Sequence, residues 1–160
     1  MSRYAGKLAS WDVINENIYF SFYEDKMRPN ALAMFFKIVQ ALDPGTTMYL
    51  NEYATLKYPL DTEVSPSMYV EMLRSIRFLP GNENTVVGLG QQGRFTYDRL
   101  NISYVRAALD VIGATNMPIW LTELDTERGH DQIMELEDIL WEAVEGIVLS
   151  SVGRMETYRV

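Results

Sequence analysis

The chain has 160 residues, 48% of them hydrophobic and 22% charged, so it is long enough for one domain with a single sizeable core but not comfortably for two. Its formal net charge of −8 argues against a nucleic acid or an anionic membrane as the partner. Cysteine is absent, which excludes disulfides and thiolate metal sites.

The first seven residues include two cations, but no apolar stretch follows them. We therefore predict no signal peptide in this chain. No apolar run in the sequence approaches the roughly 20 residues that a membrane-spanning helix needs. The pattern gives no indication of an oligomeric state.

Five short apolar runs predict β-strands, at residues 11–14, 47–50, 85–89, 118–122 and 144–149. Stretches with helical period lie between them, at residues 29–42, residues 65–79, from residue 101 and from residue 131. This alternation of strand and helix is typical of a parallel sheet that is covered by helices.

Each helical stretch carries an apolar stripe that should face the sheet. The stripes are Leu32, Phe35, Phe36, Val39 and Leu42; Met68, Tyr69, Met72, Leu73 and Ile76; Val105, Leu109 and Ile112; and Ile133, Leu136, Ile139 and Leu140. Asp43-Pro44-Gly45 should end the first helix, and Ser65-Pro66 should begin the second. Asn101 belongs to a glycosylation sequon, but we predict that it caps the third helix.

Two architectures fit alternating strands and helices: an open doubly wound sheet and part of a (β/α)₈ barrel. A complete barrel needs eight strands and about 250 residues, so five strands cannot close one. Both architectures place their sites at the carboxyl ends of the strands, which makes those ends the place to look for function.

Carboxylates and amides gather at these predicted strand ends. The sequences there are Asn15-Glu16, Asn51-Glu52-Tyr53, Gly90-Gln91-Gln92 and Thr122-Glu123-Leu124-Asp125. Side chains alternate between the two faces of a strand, so Glu16 should share a face with Ile14, and Glu123 should share a face with Leu121. We predict that both pairs point inward and that Trp120 points outward. Paired carboxylates with amide neighbours are a recurrent catalytic arrangement.

Other interpretations of these residues remain open. A single acidic residue at a strand end is commonly a helix cap or a solvated loop residue. A rival hypothesis is an oxygen-ligand site for Mg²⁺ or Ca²⁺. Its candidate ligands are Asp12, Glu16, Glu52, Glu123 and Asp125. The only histidine, His130, lies in a polar loop, where solvation is the simpler interpretation.

Residues 88–93 match the dinucleotide-binding pattern G-x-G-x-x-G. That function needs a helix to open at the glycines, whereas the helical pattern here begins only near Asn101. We therefore interpret the glycines as a bend or as room for a close neighbour. Among the ten tyrosines, Tyr53 and Tyr97 follow strands and are candidates for a ligand wall.

Six segments of the chain resemble glycoside hydrolase family 10, the endo-β-1,4-xylanases, and especially its plant members. WDVINEN is similar to the family's W-D-V-x-N-E strand, and SFYEDKM to the plant segment that follows it. LNEYAT, GLGQQGRF, PIWLTELD and AVEGIVLSS resemble four later strands, in order and with compatible spacings. The resemblance implies an α/β fold, a partial (β/α)₈ TIM barrel with about five parallel strands, the fourth to the eighth, and covering helices. Residues 1–160 would be one domain that is truncated at its N-terminus.

The resemblance also implies roles for individual residues. Glu16 would be the general acid/base and Glu123 the nucleophile of a retaining mechanism. The residues implied to bind substrate are Asn15, Asn51, Tyr53, Gln92 and Arg94. Xylan or a xylo-oligosaccharide would be the substrate, with no cofactor and no metal, and the family's setting is extracellular or the cell wall.

Two positions depart from the family pattern. Arg94 replaces a histidine, which would put a permanent cation near the nucleophile, and Gln91 replaces an apolar residue. These departures, with the short length, keep two alternatives open. The chain would then be a catalytically inactive remnant or carbohydrate-binding module, or, less favoured, an open α/β metal-binding domain.

Overall fold

A computed structural model describes residues 2–95, 101–126, 138–140 and 146–149. Five parallel strands form one sheet in the order of the chain. They are β1 (Ser10–Asn15), β2 (Thr47–Glu52), β3 (Val87–Phe95), β4 (Ile119–Thr126) and β5 (Gly146–Leu149). The helices are α1 (Phe22–Lys26), α2 (Ala31–Leu42), α3 (Pro66–Phe78) and α4 (Ile102–Gly113). Consecutive parallel strands linked by helices confirm the predicted partial barrel.

The helix starts follow the predicted capping chemistry. Ser65 Oγ accepts a hydrogen bond from the backbone N–H of Met68 at 3.3 Å, and Pro66 is the first residue of α3. Asn101 Oδ1 accepts from the N–H of Tyr104 at 3.0 Å, which confirms the capping interpretation. Each contact satisfies one of the backbone donors that a helix start leaves unpaired.

The core lies between the sheet and the helices. Alternate strand residues enter it, including Met48 and Leu50 from β2 and Leu89 from β3, where they meet the helix stripes. Two predicted stripe residues do not belong to the core: Leu42 is 44% exposed and Met68 is 50% exposed. Both lie in a terminal turn of their helix.

The later elements are described only in part. Ile139 and Leu140 are buried in the core, in a helical segment at residues 138–140. Ile133, Leu136 and the polar loop with His130 lie outside the described residues. In the part of the chain that the structure describes, no helix is long and apolar enough to cross a bilayer.

Strand β3 differs most from its prediction, because it begins at Val87 and runs through the glycine-rich segment to Phe95. No helix opens at these glycines, so the dinucleotide geometry is absent from this segment. Gly88 leaves room for the ring of Tyr49 on the neighbouring strand: a Cβ there would lie 2.3 Å from Tyr49 Cε1. The interpretation that a glycine admits a close neighbour is confirmed at this position.

Candidate active site

The two faces of the sheet have different partners. The outer face carries the apolar residues that pack against the helices, and we call the opposite face the inner face. Tyr49 alternates with Met48 and Leu50 and therefore points to the inner face, where its ring lies 5.9 Å from that of Trp120. The prediction that Trp120 points outward is therefore wrong. Leu121, its neighbour, packs in the outer core instead.

A β-bulge in β4 brings Glu123 to the inner face. Gln91 pairs with Leu121 and Gln92 pairs with Glu123, so Thr122 is an extra residue in the ladder. Thr122 Oγ1 donates to Asn51 Oδ1 at 2.6 Å, and Asn51 Nδ2 donates to Glu123 Oε1 at 3.0 Å. Two successive residues of β4 thus turn toward the same face, which strict alternation does not allow.

A second irregularity lies in β1, where Asp12 pairs with Tyr49 and Ile14 with Leu50, leaving Val13 extra. Ile14 consequently packs in the outer core, so the predicted inward row of Ile14 and Glu16 is wrong. Asp12 shares the inner face with Glu123: desolvation, and then the Glu123 charge, raise the pKa of Asp12.

Glu16 reaches the inner face through its backbone conformation. It follows the last residue of β1 and has a left-handed φ of 58°, which is uncommon for a residue with a Cβ. Its carboxylate accepts a hydrogen bond from Gln92 Nε2 at 2.9 Å. Alternation from Ile14 would place this carboxylate on the outer face. The left-handed conformation at the strand end directs it to the inner face instead.

Neutral amides connect the two carboxylates. Asn15 Oδ1 accepts from Asn51 Nδ2 at 2.9 Å and from Gln92 Nε2 at 3.3 Å. Together with the contacts above, a continuous chain of hydrogen bonds runs from Glu16 through Gln92, Asn15 and Asn51 to Glu123. Five residues named from the sequence therefore meet at one end of the sheet. The amides orient both carboxylates without adding charge.

Tyr53 and Arg94 are the two remaining candidates for substrate binding. The ring of Tyr53 contacts that of Tyr19 at 5.3 Å, and desolvation, together with the charges of Glu16 and Glu52, raises the pKa of Tyr53. Arg94 lies in β3 with its backbone paired to Asp125. Its side chain is outside the described part of the structure, as is all of Tyr97, so the expectation that Arg94 approaches Glu123 stays a prediction.

Glu52 has a role that we did not predict from the sequence, where it was only a candidate metal ligand. Its side chain is completely buried, and Oε1 accepts from the backbone N–H groups of Asn17 at 2.8 Å and Ile18 at 3.0 Å. Burial raises the pKa of Glu52 to about 7, partly opposed by these two hydrogen bonds, while the Glu16 charge adds to the rise. Glu52 directly follows Asn51 in a buried strand, and successive side chains of a strand point to opposite faces. Because Asn51 lies on the inner face, this adjacency was a signal that Glu52 lies on the outer face.

The carboxylates do not assemble as a metal site among the described residues, where no three of the histidine and acidic side chains converge to hold an ion. Glu16 and Glu123 take amide partners at the inner face, whereas Glu52 binds backbone N–H groups. The side chains of Asp125 and His130 lie outside the described part.

A family profile described as "Glycosyl hydrolase family 10" matches residues 1–147. The chain belongs to this family. It is 42% identical to Endo-1,4-beta-xylanase 4 of Arabidopsis thaliana over 143 residues, which make up 89% of this chain and 25% of that protein. It is 38% identical to Endo-1,4-beta-xylanase 5 of the same plant over 154 residues, 93% of this chain and 27% of that protein.

The family fold is also found in solved structures. Xylanase 10B from Thermotoga petrophila RKU-1, solved in complex with xylobiose, superimposes with a TM-score of 0.72 at 20% identity. The match covers 91% of this chain and 49% of that one. This family 10 chain therefore spans about a quarter of the length of its plant relatives and about half of a solved xylanase chain.

Proposed function

We propose that this chain carries the two catalytic carboxylates of a retaining endo-β-1,4-xylanase that acts on plant cell-wall xylan. Glu16 is the general acid/base and Glu123 is the nucleophile. The observation that carries the proposal is the hydrogen-bonded chain that joins these carboxylates through Gln92, Asn15 and Asn51 at the carboxyl end of the sheet. Membership of family 10 and the xylanase names of the plant relatives support it.

In the first step, Glu16 gives its proton to the glycosidic oxygen while Glu123 attacks the anomeric carbon, forming a glycosyl-enzyme. In the second step, Glu16 takes a proton from water, which displaces Glu123 with overall retention of configuration. This mechanism requires the two carboxyl groups to stand about 5–5.5 Å apart. It also requires Glu16 to begin protonated and Glu123 ionised.

The remaining residues hold the sugar and the carboxylates. Asn51 orients Glu123 by donating to Oε1 and is itself oriented by Thr122. In this proposal, Asn15 binds the sugar 2-hydroxyl beside Glu16, and the ring of Tyr53, which is partly exposed, lines the leaving-group side. Arg94, in place of the family histidine, brings a cation that would weaken the nucleophile wherever it reaches Glu123.

We expect the isolated chain to hydrolyse xylan poorly or not at all. Catalysis depends on holding the sugar in a near-attack geometry, and a barrel that does so has eight strands, of which five are described here. Cleavage of an activated aryl xyloside depends less on protonation by an acid and on binding contacts that are distant from the reacting bond. Slow turnover of that substrate is therefore the activity to look for.

The test is to incubate the purified chain with xylan and with an activated aryl xyloside, alongside Glu123→Gln. Glu71→Gln is the matched control, because Glu71 is exposed on α3 and pairs only weakly with Arg74 at 3.9 Å. We expect slow xyloside turnover that Glu123→Gln abolishes and Glu71→Gln preserves. Turnover that survives Glu123→Gln would contradict the assignment. Binding of xylo-oligosaccharides without any turnover would favour a carbohydrate-binding module instead.

A further inference from the structure

The backbone of Glu16 is the least ordinary feature of the described site. Its φ of 58° lies in the left-handed region, which is disfavoured for any residue with a Cβ and persists only where surrounding contacts hold it. This conformation is also what turns the Glu16 carboxylate toward Gln92. The contacts that hold the backbone here therefore decide where the proposed acid/base points.

Three successive backbone N–H groups at this turn are held by the end of β2. The N–H of Glu16 donates to the carbonyl of Asn51 at 2.8 Å. The next two, from Asn17 and Ile18, both donate to Glu52 Oε1, at 2.8 and 3.0 Å. One carboxylate oxygen thus fixes the segment that immediately follows the left-handed residue.

The fixed segment is tied to the helix layer as well. Asn17 is buried, and its Nδ2 donates to Glu24 Oε2 at 3.1 Å. The other oxygen of Glu24 accepts from the N–H of Leu32 at 3.1 Å, in the first turn of α2. The turn is therefore held from the sheet by Glu52 and from the helices by Glu24.

We propose that Glu52 is a positioning residue, which holds Glu16 in its left-handed conformation and thereby aims the Glu16 carboxylate at the inner face. The importance of this position for catalysis depends on the proposed role of Glu16. Glu52 itself does not touch the inner face, because its side chain lies buried on the outer side, beside Tyr69 and Gln91.

The burial of Glu52 argues for a positional role. Within the described residues, its second oxygen, Oε2, is buried without a hydrogen-bond partner. A buried carboxylate with an unsatisfied oxygen is a poor source of stability. The carboxylate instead gives a fixed hydrogen-bond partner to the N–H groups of Asn17 and Ile18, which would otherwise lose it.

The experiment uses the side-chain amide of Gln92 as a reporter, because it donates directly to Glu16. The ¹⁵N-labelled chain is compared by NMR with Glu52→Ala, Glu52→Gln, Glu16→Ala and the exposed control Glu71→Ala. In Glu52→Ala, we expect the Gln92 amide signals to move to their positions in Glu16→Ala. The backbone amides of Asn17 and Ile18 should exchange with solvent at least tenfold faster. Glu52→Gln keeps an acceptor oxygen and should retain the wild-type signals.

Unchanged Gln92 signals in a folded Glu52→Ala would overturn the proposal. If Glu52→Ala does not fold, Glu52→Asp replaces it. Aspartate keeps the charge, but its side chain is one methylene shorter, so the acceptor oxygen lies farther from the two N–H groups. A folded Glu52→Asp with unshifted Gln92 signals would overturn the proposal equally. The readout needs no turnover. A shift of Gln92 without any reaction at Glu123 would thus support the positioning role and reject only the proposed catalytic function.

Discussion

The two faces of the sheet differ in the side chains that they carry and in the contacts that these side chains make. The outer face is mainly apolar, and its side chains pack against the helices, as Leu50, Leu89 and Leu121 do, each of them completely buried. The inner face instead carries the hydrogen-bonded chain of amides between Glu16 and Glu123. The apolar burial that stabilises the fold is therefore on the outer side of the strands, whereas the carboxylates of the proposed chemistry lie on the inner side.

The largest effect on stability should come from the outer face. Leu73, on α3, is completely buried in the core, and Leu73→Ala removes three buried carbons and leaves a cavity. We expect the free energy of unfolding to fall by about 2–5 kcal/mol. The control is Met68→Ala on the same helix, where 50% of the side chain is exposed and the expected change is within about 0.5 kcal/mol. Equal losses in urea denaturation would contradict the placement of Leu73 in the buried core and of Met68 at its edge.

Glu52 is an ionisable residue buried on the outer face, and it should make stability depend on pH. Its pKa is raised from an ordinary value of 4.5 to about 7 by burial. A raised folded-state pKa means that the stabilising contribution is complete below about 4.5 and is lost as the pH rises through 7. The loss is on the order of 3 kcal/mol, since one pKa unit corresponds to about 1.4 kcal/mol.

Glu52→Gln cannot ionise and should lack this component. The difference in unfolding free energy between the wild type and Glu52→Gln, measured by urea denaturation at pH 4.5, 6 and 8, should therefore change in favour of the variant as the pH rises. A difference that does not vary with pH would show that Glu52 titrates with an ordinary pKa in the folded protein.

A smaller effect is expected on the inner face, at Gly88. Gly88→Ala places a methyl group 2.3 Å from Tyr49 Cε1, so the ring must move away from its contact with Trp120. We expect a loss of about 1–3 kcal/mol in unfolding free energy. Gly45→Ala, which meets nothing within 4 Å, is the control and should be close to neutral. A fully stable Gly88→Ala would mean that Tyr49 does not lie over this glycine.

The outer face could be predicted from the sequence because its residues follow simple periods. The stripe of Val105, Leu109 and Ile112 repeats every three or four residues, and all three are buried. The caps at Ser65 and Asn101 could also be predicted, because each depends on one side-chain oxygen that accepts from a backbone N–H three residues later. Resemblance to family 10 added the identification of these five strands with the fourth to the eighth strands of a barrel.

The inner face could not be predicted by alternation, because three local irregularities determine it. The bulges at Val13 and Thr122 each shift the alternation by one residue, and Glu16 adopts a left-handed conformation. None of these has a sequence signal as direct as a glycine or a proline. The candidate residues were therefore found through their neighbours and the family resemblance, while the faces assigned to Ile14, Trp120 and Leu121 were wrong.

The proposed function requires Glu123, at the bulge of β4, to be the nucleophile of a retaining site. The decisive experiment traps the glycosyl-enzyme with a 2-deoxy-2-fluoro xylobioside that carries a good leaving group and identifies the labelled peptide by mass spectrometry. We predict slow labelling of Glu123 in the wild type and in the exposed control Glu71→Gln, and no labelling in Glu123→Gln. A label on another carboxylate, or none after prolonged incubation with saturating reagent, would contradict the claim.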